Sequence, residues 1–110
     1  MGVNADSNWL TMNDWNQAHV ILISIEIIIA DANSLKARRA VLNRIKDRVK
    51  SRFNASVAEV GDLEKWQRAT VAVSMVSNEK KKLQQDADKL REELLSMTDT
   101  SINEFVIEWL

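Results

Sequence analysis

Residues 19–30 read HVILISIEIIIA, with Ile21, Ile23, Ile25, Ile27 and Ile29 on every second position. Successive side chains of a strand point to opposite faces, so all five isoleucines share one face, and β-branched side chains suit a pleated surface. Val20, Leu22, Ser24, Glu26 and Ile28 point the other way, which makes one face fully apolar and the other mixed. Such a strand needs a second layer over its isoleucine face. The apolar run from Val20 to Ala30 is eleven residues long and contains Ser24 and Glu26. A bilayer-spanning helix needs about 20 apolar residues, so no membrane anchor is expected here.

The flanking segments supply the missing layer. Residues 31–34 (DANS) form a turn in which Asn33 or Ser34 caps a helix. From 35 to 53 the apolar positions Leu35, Leu42, Ile45, Val49 and Phe53 keep a helical period, with Val41 at the margin. Arg38 falls in the same stripe by angle and is expected to snorkel past the sheet edge. Residues 55–60 (ASVAEV) read as a short strand ended by Gly61-Asp62, and 66–77 as a strand with Val71, Val73 and Met75 on one face. Ser77 or Asn78 caps a second helix striped by Leu83, Ala87, Leu90, Leu94 and Met97. Residues 101–109 alternate again, with Phe105, Ile107 and Trp109 opposite Glu104, Val106 and Glu108. The order strand, helix, strand, strand, helix, strand is the ferredoxin-like, split β-α-β plan: an α+β two-layer sandwich with two helices on one face of a four-stranded antiparallel sheet. Right-handed crossovers put the first and third strands in its centre. Residues 18–110 make up this single domain; residues 1–17, rich in Asn and Asp with Trp9 and Trp15, keep neither period and are expected to form a flexible extension.

Composition narrows the chemistry. The 110 residues are 45% hydrophobic and 28% charged, the range of one globular domain. There is no cysteine, which excludes disulfides and thiolate chemistry and fits the reducing cytoplasm. His19 is the single histidine, and Gly2 and Gly61 are the two glycines, so a multi-imidazole zinc site and a glycine-rich phosphate loop are both excluded. With no Ser-His-Asp set either, the reading is a non-catalytic protein without cofactor or metal. The net charge of -1 conceals a segregation: residues 34–53 carry eight basic side chains against Asp47, while the rest of the chain holds seven basic and fifteen acidic groups. Such asymmetry bears on partners rather than on fold.

SLKARR at 34–39, RFNASVAEVGD at 52–62 and WQRATVAVSMVS at 66–77 resemble the run of motifs in the YlxP-like family of small bacterial proteins, a domain of unknown function. The resemblance runs from about Ala18 to Leu110 and implies a ferredoxin-like fold. It implies no established activity; genes of the family often lie near those for translation initiation and ribosome maturation factors, which points to RNA or the ribosome. Ser34, Leu35, Lys36, Arg39, Asn54, Glu59, Trp66, Gln67 and Ser77 carry over as family-typical residues without a known role.

Three surfaces follow from this plan. The end of the first helix and the start of the second lie at one end of the sheet, so Arg48, Lys50 and Arg52 are expected to approach Lys80, Lys81 and Lys82 in a basic edge for RNA phosphates. Three cations in a first helical turn oppose the macrodipole, while the free amides there attract phosphate. At the opposite end Ser34, Lys36, Arg39, Glu59, Asp62, Trp66 and Gln67 should gather, with Trp66 closing the core and Glu59 pairing with Lys36 or Arg39, or else gripping a peptide or small ligand. The open sheet face has no aromatic side chain and carries Glu26, Glu104 and Glu108, which excludes base stacking there; its valines suit a second copy of the chain. RNA or ribosome association is thus the leading expectation, with homodimerisation or another protein contact, or small-ligand binding, as alternatives.

Overall fold

The computed structural model describes residues 18–30, 32–61 and 67–110. The expected extension at 1–17, and Asp62 and Trp66 of the opposite-end cluster, lie outside the described residues. The elements are β1 (His19–Ile28), α1 (Leu35–Arg52), β2 (Ala55–Val60), β3 (Arg68–Ser77), α2 (Lys80–Leu95) and β4 (Ser101–Trp109). The sheet order is β2-β3-β1-β4 with every pairing antiparallel, the ferredoxin-like α+β arrangement. The isoleucine strand therefore lies in the centre, where both of its edges are bonded.

All five odd-numbered isoleucines of 21–29 are buried. They meet Leu42, Ile45 and Val49 from α1, Val71, Val73 and Met75 from β3, and Leu83, Ala87, Leu90 and Leu94 from α2. Ile25 stands between Val71 and Phe105 in the two registers. β1 stops at Ile28, two residues before the alternation ends, because the chain turns there: Ile29 donates its N–H to the Gln67 carbonyl at 2.8 Å, and Ala32 donates to Ile29 at 3.1 Å. Ser34 caps α1, its hydroxyl accepting from the Ala37 N–H at 3.1 Å. Gly61 follows β2 at φ 81°, a left-handed conformation that favours glycine.

Three expectations need correction. Leu35, read as part of the core stripe, is 45% exposed: it is the first residue of α1, on the flank above the sheet's β2 edge. Neither Ser77 nor Asn78 is the N-cap of α2. The chain stays extended through Ser77, the cap position falls to Glu79, whose side chain makes no capping bond, and the Ser77 hydroxyl accepts the Glu79 N–H instead. Arg38 does not snorkel past the sheet edge: it is buried and donates to the Glu59 carboxylate.

On the face away from the helices, Leu22, Ser24 and Glu26 line up with Ser74, Ala72 and Thr70 on one side and Glu108, Val106 and Glu104 on the other. The register of β4 shifts between Glu26 and Ile27, leaving Asn103 as an extra residue whose side-chain amide donates to the Glu26 carboxylate.

Candidate anion-contact surface on the first helix

The sequence groups six cations into one basic edge; the structure divides them. Arg52 Nε lies 2.7 Å from Glu93 Oε1, with its N–H aimed so poorly that this oxygen is left without a hydrogen bond. Glu93 is thirteen residues along α2 from Lys80, or about 20 Å at 1.5 Å per residue. Arg52 therefore meets α2 near its C-terminal end, far from Lys80, Lys81 and Lys82. The cause is unequal strand length. β2 begins at Ala55 opposite Met75, whereas β3 continues to Ser77 before α2 starts at Lys80. α1 must stop before Ala55, so the two helices pass each other out of step.

The lysine triplet has its own local partners. The Lys80 ammonium sits 5.5 Å from the centre of the Trp109 ring, over the far edge of the sheet, and Lys82 pairs with Asp86 at 3.2 Å. Lys81 makes no ion pair among the described residues.

The cations of α1 form two rows rather than a patch. Arg44, Arg48 and Arg52 are spaced four residues apart and look towards α2. Arg44 pairs with Asp99, Arg52 with Glu93, and Arg48 borders a cleft with Ser96, Thr98 and Asp99 just beyond the α2 C-terminus. Positive side chains beside the carbonyl end of a helix also complement its dipole. Lys36, Arg39, Lys46 and Lys50 occupy the other flank, within an arc of about 80° at about 100° per residue. That flank lies over β2, and Asn43 falls within it. None of these four cations makes an ion pair among the described residues, although Asp47 borders the row.

The opposite-end cluster has structural work. Arg38 is 5% exposed; its Nη2 donates to the Glu59 carboxylate and, at 3.3 Å, to the Arg68 carbonyl, joining α1 to β2 and β3. Glu59 thus pairs with Arg38 rather than with Lys36 or Arg39. Position 38 faces the sheet beside β2, and Glu59 is on the helix-side face of that strand, so the guanidinium finds a carboxylate inside and does not reach past the edge. Gln67 Nε2 donates to the Ala30 carbonyl at 3.4 Å, which ties the start of β3 to the turn after β1. Lys36 and Arg39 remain exposed on the α1 flank.

Sequence reasoning missed the cleft between α1 and β2. It has a volume of about 200 Å³, with Leu35 and Leu42 as apolar wall, Arg39, Asn43 and Lys46 as polar rim, and the Arg38–Glu59 pair at its side. The spacing 36, 39, 46, 50 carried the signal for the row, but only the position of β2 shows which side of the helix it borders.

A family model described as "Protein of unknown function (DUF503)" matches residues 20–107. Over 65 residues the chain is 40% identical to "Uncharacterized protein YlxP" of Bacillus subtilis (strain 168), a match covering 59% of this chain and 71% of that protein.

Proposed function

We propose that this chain, which belongs to the DUF503 family of proteins of unknown function, is a non-catalytic cytoplasmic module that contacts the phosphate backbone of RNA, on the ribosome or during its assembly. The observation that carries the reading is the outer row of α1: Lys36, Arg39, Lys46 and Lys50 extend over about 21 Å of one helix flank, without a carboxylate partner among the described residues, while in the inner row Arg44 and Arg52 are paired with Asp99 and Glu93. Unpaired cations in a line retain the field that draws in a polyanion and releases its counterions. The proposed contact lies on the β2 side of α1 and, of the expected edge of Arg48, Lys50, Arg52 and Lys80 to Lys82, retains Lys50 alone.

The test is the salt dependence of binding to a structured RNA. Replacing Lys36, Arg39, Lys46 and Lys50 by Gln should weaken binding for all sequences alike and flatten the log–log salt slope by about 0.7–0.9 for each phosphate no longer neutralised. Replacing Lys80, Lys81 and Lys82 by Gln should do much less. Equal affinity of wild type and the α1 variant at low salt would end the RNA reading.

A second reading is self-association through the open sheet face. It is supported by Val76 and Val106, which are 55% and 52% exposed, and by Leu110, whose N–H bonds to the Val20 carbonyl beside Val76.

A further inference from the structure

We propose that the outer edge of β2 accepts an extended acidic segment of a protein partner as a fifth strand of the sheet. The inference goes beyond the RNA reading and does not rest on it.

The edge itself is the first observation. An edge strand presents a row of unpaired N–H and C=O groups, and edges are ordinarily blunted by bulges, lysines, proline or a covering element. β2 (ASVAEV) has none of the first three: six consecutive residues pair with β3 in unbroken register, with no proline and no lysine. Its one charge, Glu59, is bound by Arg38 on the helix side. β4, the opposite edge, is blunted by the Asn103 bulge and carries Glu104 and Glu108.

The second observation is what borders the edge. The cleft between α1 and β2 opens beside it, with exposed Leu35 on its wall and Arg39 and Lys46 on its rim. Val60, at the end of β2, is exposed as well. A strand added about 4.8 Å outside β2 would send alternate side chains towards α1, about 7 Å apart, where Arg39 and Lys46 on the cleft rim meet them. Main-chain bonds would hold the strand, and the flank would select carboxylates at those alternate positions.

Charge decides the occupant. Pairing β2 with β2 of a second copy would lay two cationic α1 flanks side by side, four like charges against four. Pairing β2 with β4 of a second copy would meet the bulge and, being head-to-tail, would leave a further edge open unless a ring closed. An acidic segment meets neither obstacle.

The test uses the full chain and a fluorescein-labelled peptide of alternating glutamate and valine, followed by anisotropy and by residue-resolved amide exchange. Binding should slow exchange at alternate amides of Ala55–Val60, and the same peptide with glutamine for glutamate should bind more weakly. Adjacent residues of β2 direct their N–H groups alternately to β3 and outward. Of Ser56→Pro and Val57→Pro, one therefore removes an outward donor and leaves the β2–β3 ladder intact. That variant should lose about tenfold or more in peptide affinity and keep its RNA affinity and salt slope. Should neither variant fold, the exchange pattern of the wild type decides. Peptide binding without slowed β2 amides, undiminished binding by the folded proline variant, or equal binding of the glutamine peptide would overturn the proposal. Loss of RNA binding alone would overturn only the RNA reading.

Discussion

Arg38 holds the α1–β2 junction through a single nitrogen: Nη2 serves both Glu59 and the Arg68 carbonyl, while Nε is buried without a partner. Removing the carboxylate would leave a buried guanidinium with one neutral acceptor, the costly way to break such a pair. Glu59→Ala should lower stability by about 2–4 kcal/mol in urea unfolding, somewhat below the fully buried range because Glu59 keeps some solvent. Arg38→Met combined with Glu59→Leu should recover most of that loss; a double variant no better than Glu59→Ala would show that the pair itself, and not its desolvation, governs the site. In the core the case is simpler. Ile25→Ala opens a cavity between Val71 and Phe105 and should cost about 2–5 kcal/mol by the same measurement. The two positions also mark what the sequence discloses at this scale. Period two places Ile25 without ambiguity, since a central strand has neighbours on both sides. The helical period places Arg38 on the core face, but its partner comes from a strand 21 residues later, and no local pattern encodes that meeting. Leu35 fails for a related reason: the period gives a face, not whether the sheet extends beneath it.

At the scale of elements, the six segments and their faces are legible because each carries its own periodicity, and the central position of β1 and β3 follows from crossover handedness. The axial offset of the helices is not legible. It depends on a difference of a few residues between where β2 begins and where β3 ends, which is the margin within which sequence places boundaries. That offset separates Arg52 from Lys80 and dissolves the basic edge, although each residue is on the helix expected for it. The start of α2 offers a direct test. Its first turn has three lysines, no acid and no side-chain cap. Glu79→Ser should stabilise the protein by about 1 kcal/mol by supplying the missing acceptor. Lys81→Gln should add a few tenths of a kcal/mol by removing an unpaired cation from the positive end of the helix dipole. Lys82→Gln should gain less, because it also gives up the Asp86 pair. Thermal melts of the three variants rank these effects; a Lys81→Gln protein less stable than wild type would mean that this cation has a partner that the fold alone does not provide.

At the scale of the whole molecule, the outer flank of α1 and the open sheet face carry opposite charge, while the surface between the two helices mixes both signs. The outer flank of α1 is positive over β2, and the open sheet face is net negative, with Glu26 and Glu104 as cross-strand neighbours, Glu108 further along the same face and Arg68 at its end. Salt should therefore act with opposite sign on the two proposed contacts. Binding of RNA to the flank releases counterions and must weaken as salt rises. Stacking two open faces brings three carboxylates of one copy towards three of the other, and salt screens that repulsion over a Debye length of about 10 Å at 0.1 M. Between about 50 mM and about 300 mM salt, sedimentation should show self-association strengthening while RNA affinity falls. Val106→Lys puts an ammonium at the centre of the open face, so it should abolish self-association at every salt concentration and leave the melting temperature and the RNA salt slope as they were. A wild-type chain that sediments as a monomer at high concentration and high salt would remove the self-association reading, and the exposed valines would then be ordinary members of a solvent-facing sheet.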